Sequence, residues 1–177
     1  MPREIWTIGH SNRSLDEFVE LLQGESIGQL ADVRRFPGSR AHPHFNLDAL
    51  EAGLAQAKIG YRHFASLGGR RSKRPADSPN VGWRVDSFNR YADYMATPEF
   101  HAAIDALLAS DKVTAYMCAE AVPWRCHRNL VSDELVRRGI EVMHILGPGQ
   151  TRAHELNPFA VIEGDHLIYP PEQASFR

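Results

Sequence analysis

The chain of 177 residues has 43% hydrophobic and 24% charged residues and a formal net charge of -2, the composition of an ordinary globular protein long enough for one real core. That balance argues against a broad duplex-binding face, and no apolar run approaches the roughly 20 residues that span a membrane. Met1-Pro2-Arg3-Glu4 lacks the charged and apolar regions of a secretory leader, so a cytoplasmic location is expected, where two cysteines serve as thiols, ligands or a redox pair rather than as a structural staple.

In chain order, residues 5–8 form an apolar run ending at Gly9-His10-Ser11-Asn12, a first strand and its loop. Ser14-Leu15-Asp16-Glu17 has capping-box spacing, and Leu15, Phe18, Leu21 and Leu22 give one helical face that stops at Gly24. Residues 27–33 read as a second strand ending at Asp32-Val33-Arg34. Asn46 is the expected cap of a helix carrying Leu47, Leu50 and Leu54, which ends at Gly60, and residues 61–64 are a third strand. Residues 66–80 are rich in Gly, Arg and Pro without apolar period, and the stretch to residue 85 is long enough for a lid. Residues 88–95 are helical in pattern, and Thr97-Pro98-Glu99 opens another helix with Pro at its first position. Residues 113–118 are a fourth strand, 127–138 a helix and 142–146 a fifth strand followed by Gly147-Pro148-Gly149. Residues 159–162 and 167–169 flank Glu163-Gly164-Asp165-His166 as a C-terminal hairpin.

Strands alternating with helices predict a single α/β domain over residues 1–177: a three-layer αβα, Rossmann-like fold with a mainly parallel five-stranded sheet and a small C-terminal β-hairpin. Loops after parallel strands share one edge of the sheet, where ligands bind in such folds. Five clusters should therefore converge: Gly9-His10-Ser11-Asn12, Asp32-Val33-Arg34, Arg62-His63, Cys118-x-Glu120 and Gly147-Pro148-Gly149.

The richest stretch is Cys118 to Arg128. It places Cys126-His127-Arg128 at a helix start, where free N–H groups favour an anion or a thiolate. Cys126 is expected to have a lowered pKa and to act as a nucleophile, with His127 or His10 as proton shuttle and Glu120 as acid or base. Cys126 has no arginine at the Cys-x5-Arg spacing of a phosphatase loop. Cys118, Cys126, His127 and His10 also supply ligand types for zinc or iron, although adjacent Cys126 and His127 rarely face one ion, so no metal is assigned.

Between Arg34 and Arg90 eleven cations face four anions. Within and beyond that segment, Arg34, Arg35, Arg40, Arg70, Arg71, Arg84, Arg125 and Arg128 ring the expected crevice, interleaved with Phe36, Tyr61, Trp83 and Trp124. Arginine forks suit phosphate, and aromatic rings suit a stacked base. Bland alternatives stand beside each reading. Cys118 fits as a small buried hydrophobe, Asp32 as the partner of Arg34 or a loop cap, the arginines as a solvated loop, and His144 as a satisfied core histidine. His101, His154 and His166 read as structural or exposed.

Thr7-Ile8-Gly9-His10-Ser11, Asp32-Val33-Arg34 with Pro37 and Ser39, Tyr61-Arg62-His63 with Leu67-Gly68-Gly69, and Cys118-x-Glu120-x2-Pro123-x2-Cys126-His127-Arg128 together resemble the family of domain of unknown function 488, from Ile5 to about Leu146. The resemblance implies that Gly9, His10, Ser11, Asp32, Arg34, Pro37, Ser39, His63, Gly68, Gly69, Cys118, Glu120, Pro123, Cys126, His127 and Arg128 are its motif residues. A DNA-repair label on some members implies a leaning toward nucleic acid.

The expected function is binding of a phosphate-bearing ligand, nucleic acid or nucleotide, in this crevice. Gly9, Ser11, Asp32, Arg34, Ser39, His63, Arg70, Arg71 and Arg128 would contact phosphate and Trp124 or Trp83 would stack. Cys126, Cys118, His10, His127 and Glu120 would be the chemical groups. The alternatives are a thiol- or metal-dependent small-molecule enzyme, and a non-catalytic module whose arginine-rich loop docks an acidic partner.

Overall fold

The structure is a computed structural model that describes residues 2–69, 71 and 75–171. Five strands are parallel: β1 (Glu4–Gly9), β2 (Gln29–Asp32), β3 (Gly60–His63), β4 (Thr114–Cys118) and β5 (Glu141–Gly147). A sixth, β6 (Gln150–Ala153), runs antiparallel to β5, so the order across the sheet is β3-β2-β4-β1-β5-β6. β6 was not legible in the sequence, because all four of its residues are exposed and carry no apolar alternation. Gly147-Pro148-Gly149, expected to face the crevice, instead makes the tight turn into β6, with Gly149 at φ 65°.

Residues alternate between the two faces of the sheet, as the two-residue period of a strand requires. Ile8, Leu30, Ala115, Met117 and Ile145 pack under helices α1 (Leu15–Gly24) and α2 (Leu47–Gln56). Ile5, Ala31, Tyr116, Cys118 and Val142 pack under α3 (Asp86–Met95), α4 (Pro98–Leu108) and α5 (Arg128–Arg137). This is the three-layer arrangement expected. The caps at Ser14 and Thr97 form as their spacing implies, accepting from the amides of Glu17 and Phe100. Asn46 stands at the start of α2 but leaves it uncapped, because its Oδ1 accepts from the amide of Ser39 instead.

The hairpin of β7 (Val161–Glu163) and β8 (His166–Ile168) is separate from the main sheet. It is anchored by Leu167 and Tyr169, both in the core. Residues 75–85, the second part of the expected lid, are pinned. Ser78 and Asn80 bond Asp93 on α3, and the amides of Val81 and Gly82 bond the Tyr169 carbonyl. Among the described residues no helix is long and apolar enough to cross a membrane.

Candidate functional site

The crevice follows from the winding of the chain. β4 lies between β2 and β1. After β1 and β2 the chain turns to the α1/α2 layer, and after β4 it turns to α5 on the opposite layer. Neighbouring loops therefore part at the carboxyl end of β4, the position where such sheets open a ligand site. The resulting cavity of about 350 Å³ is lined by Arg34, Arg35, Phe36, Gly38, Gly69, Cys118, Ala119, Glu120, Cys126 and His127. Backbone bonds stitch its floor, from His10 N to Cys118 O (3.0 Å), Ser11 N to Ala119 O (2.9 Å) and Val33 N to Met117 O (3.0 Å).

On one wall Asp32 fixes Arg34. The Arg34 guanidinium donates from Nε to Oδ1 (2.9 Å) and from Nη2 to Oδ2 (2.8 Å), and its amide donates to Oδ1 (3.1 Å). Tyr61 adds a bond from its hydroxyl to Asp32 Oδ2 (2.6 Å), and His63 Nε2 donates to the Arg34 carbonyl (2.6 Å). Burial, then the bond to the Asp32 carboxylate, hold the Tyr61 phenol protonated. Arg34 is thus buried, charge-compensated and rigid, yet its Nη1 has no partner among the described residues.

The floor carries the two thiols. Cys118 Sγ and Cys126 Sγ are 2.8 Å apart and both are free. Cys126 lies before α5 rather than in its first turn, in extended backbone after a 3-10 turn over Pro123–Arg125. Its sulfur accepts from the amide of Arg128 (3.4 Å). Burial pushes both thiols up. At Cys118 the hydrogen bond from Cys126 and the Arg128 guanidinium outweigh burial and bring the pKa down to about 7. At Cys126 burial is reinforced by the neighbouring Cys118 sulfur, and the pKa is held far above its ordinary value. Of the pair it is Cys118 whose pKa is lowered, whereas the sequence expectation placed the lowered pKa on Cys126. The two sulfurs share one hydrogen bond, which lowers the pKa of Cys118 and raises that of Cys126, while the Arg128 charge lowers both.

Several expected site residues are committed elsewhere. His127 donates from Nε2 to the Val33 carbonyl (3.0 Å) and packs on Tyr91, and burial lowers its pKa to about 4, so it ties α5 to β2 as a neutral ring. His10 donates from Nδ1 to the Ser11 carbonyl (2.9 Å) and stacks on Phe45, and burial lowers its pKa to about 4, leaving Nε2 without a partner among the described residues. Arg71 holds the carbonyls of Gly68 and Ser66 and covers the Tyr94 ring at 3.7 Å. Ser39 accepts from the amide of His42, and the Ser11 hydroxyl donates to Asn12 Oδ1. Arg128 Nη2 holds the carbonyls of Glu120 and Ala121. Arg70 lies outside the described residues.

The tryptophans do not flank the crevice. Trp83 is enclosed by Phe88, Phe159 and Tyr169. Trp124 is half exposed but lines a separate cavity of about 200 Å³ with Arg152 and His144. The aromatic ring at the crevice is Phe36, 72% exposed, with the Arg35 guanidinium 5.6 Å from its centre. The sequence signal was its place directly after Arg34-Arg35 in a post-strand loop. The set considered for zinc or iron does not converge, since the cysteines face each other and both histidines face carbonyls. Among the described residues no group of three or more His, Cys, Asp and Glu side chains is placed to hold a metal ion.

Neither a curated protein nor a solved structure matches the chain. The family model described as "Domain of unknown function DUF488" matches residues 14–135, a span that includes Asp32, Arg34 and everything from Cys118 to Arg128 and leaves out Gly9, His10 and Ser11. The match covers well over half the chain, which therefore belongs to the DUF488 family.

Proposed function

We propose that the crevice binds the phosphate of a nucleotide or of single-stranded nucleic acid. One observation carries this reading: the buried Arg34 guanidinium, locked by Asp32, keeps Nη1 unpartnered while the residue lines the cavity. A buried donor left unpaired costs about 1–3 kcal/mol, which an anion bound against Arg34 would recover. Exposed Arg35 adds charge at the rim, and exposed Phe36 offers a face for a base. Compensation of Arg34 by Asp32 keeps the site modest in charge, which suits one phosphate and one base better than a long duplex.

The test is fluorescence anisotropy with a labelled single-stranded oligonucleotide, competed by mononucleotides and by duplex, at two salt concentrations. Saturable binding that weakens with salt, and that falls roughly tenfold in Phe36→Ala and in Arg35→Ala, is expected. Absence of saturation with every nucleic acid and nucleotide overturns the reading.

A further inference from the structure

The two sulfurs at the crevice floor form a second arrangement that anion binding does not use. Arg128 is wholly buried beside them, and its described hydrogen-bond acceptors are the carbonyls of Glu120 and Ala121 rather than a carboxylate. A buried guanidinium requires a compensating anion. Burial alone would lower the pKa of Arg128, yet it is raised, chiefly through Cys118 and Cys126. The pair of sulfurs beside it, sharing one proton, is the counter-charge available to it. Its Nε and Nη1 remain without partners among the described residues. The second sulfur already touches the first, so closing from 2.8 Å to the roughly 2 Å of a disulfide needs less than about 1 Å of movement.

We propose that Cys118 and Cys126 are a two-electron dithiol centre that reduces a small hydroperoxide, Cys118 attacking and Cys126 resolving. The size class of the oxidant follows from access. Cys118 is only 2% exposed and Cys126 9%, at the base of the cavity, where a protein disulfide does not reach and a small peroxide does. The Cys118 thiolate attacks a peroxide oxygen. The S–O bond forms as the O–O bond breaks, and the departing alkoxide or hydroxide takes a proton from solvent. Cys118 is left as the sulfenic acid. Cys126 then attacks Cys118 Sγ. The S–S bond forms, the S–O bond breaks, and the hydroxide leaves as water with the Cys126 proton. Each sulfur gives up one electron, the peroxide gains two, and an external thiol reductant restores the dithiol.

This centre goes beyond the anion-binding reading and does not rest on it. Reduced full-length protein is mixed with one equivalent of hydrogen peroxide and followed by intact mass. A loss of two hydrogen atoms is expected, roughly tenfold faster at pH 7 than in the same protein unfolded in urea, with a rate that falls as pH drops through about 7. Cys126→Ser should stop at one added oxygen on Cys118, trapped by dimedone, and Cys118→Ser should leave peroxide unconsumed. Oxidation of Cys118→Ser at the wild-type rate, or equal rates for folded and unfolded chains, overturns the proposal. Should either variant fail to fold, limited alkylation of the wild type at pH 7 decides: Cys118 labelled first supports the assignment and Cys126 first overturns it. Intact nucleotide binding alongside absent peroxide reactivity removes this proposal alone.

Discussion

A methyl group on Gly9 would lie 1.6 Å from the carbonyl oxygen of Glu120, so β1 and the loop after β4 touch backbone to backbone. That contact sets where the Glu120 loop stands, and Arg128 Nη2 then holds its carbonyls from below. Gly9→Ala must push the loop away, and a loss of about 3 kcal/mol is expected from overpacking against backbone. At Gly24, at the end of α1, an added methyl meets nothing within 4 Å, and Gly24→Ala should be neutral or stabilise by up to about 1 kcal/mol. Urea midpoints of the two variants check the contrast; equal midpoints would refute the contact. The same scale separates the two candidate roles of arginine. Arg71 spends its donors on carbonyls, whereas Arg34, which lines the cavity, has one buried nitrogen without a partner among the described residues.

Helix α1 is the element whose formation is most local. Ser14 accepts from the Glu17 amide at 3.1 Å, Asp16 and Glu17 sit in the first turn, and Phe18, Leu21 and Leu22 are buried. Ser14→Ala removes the cap and should cost about 1 kcal/mol, read as a shift in the thermal midpoint, while Ser14→Asp should restore most of it. No loss in Ser14→Ala would mean that packing of the apolar face alone carries the helix. Helix α5 is the opposite case. Every residue from Arg128 to Leu135 is buried, charged ones included, so its stability depends on partners from elsewhere in the fold. Glu134 is satisfied locally by Arg137 and Arg138, but Asp133 takes His154, Asn157 and Tyr169 from the C-terminal segment. Position by position, α5 carries the start of the thiol site at one end and the anchor of the C-terminal hairpin in the middle.

Across the whole molecule a polar chain crosses between layers. Thr7 on β1 bonds His144 on β5, His144 bonds His154 (2.9 Å), and His154 donates to Asp133 on α5 (2.7 Å). His144 is thus the satisfied core histidine expected, and His154 is structural, linking it to α5. Burial, then His154, lowers the pKa of His144 to about 3, and burial lowers that of His10 to about 4; both rings are 3% exposed. Each folded pKa lies below the unfolded value of about 6.5. The stability these rings contribute is complete above that value and is lost as pH falls toward 4 and then 3. Between pH 7 and pH 5 the loss should be on the order of 2 kcal/mol per ring. Urea unfolding at the two pH values measures it, and a midpoint unchanged between them would show that these rings are not held neutral.

The alternation of apolar strands with capped amphipathic helices was legible residue by residue, since periods of two and 3.6 and a Ser-x-x-Glu cap are local properties. So were the placement of Cys118 and Asp32 at strand ends and the family motifs from Cys118 to Arg128. The strand order, and with it the opening beside β4, depended on which loops turn to which layer, a relation between segments up to a hundred residues apart. The exposed edge strand Gln150–Ala153 had no apolar signature to read. The assignment of thiolate and thiol also waited for the tertiary structure, because a pKa is set by what surrounds a sulfur in space. In the chain Cys126 stands nearest Arg128; in the fold the Arg128 charge reaches both sulfurs, and the bond between them lowers the pKa of Cys118 and raises that of Cys126. Sequence determined which chemical groups reach this edge of the sheet. Packing decided which of them stay free, by giving Arg71, His127 and Trp83 partners and leaving Arg34, Phe36 and the two sulfurs at the cavity.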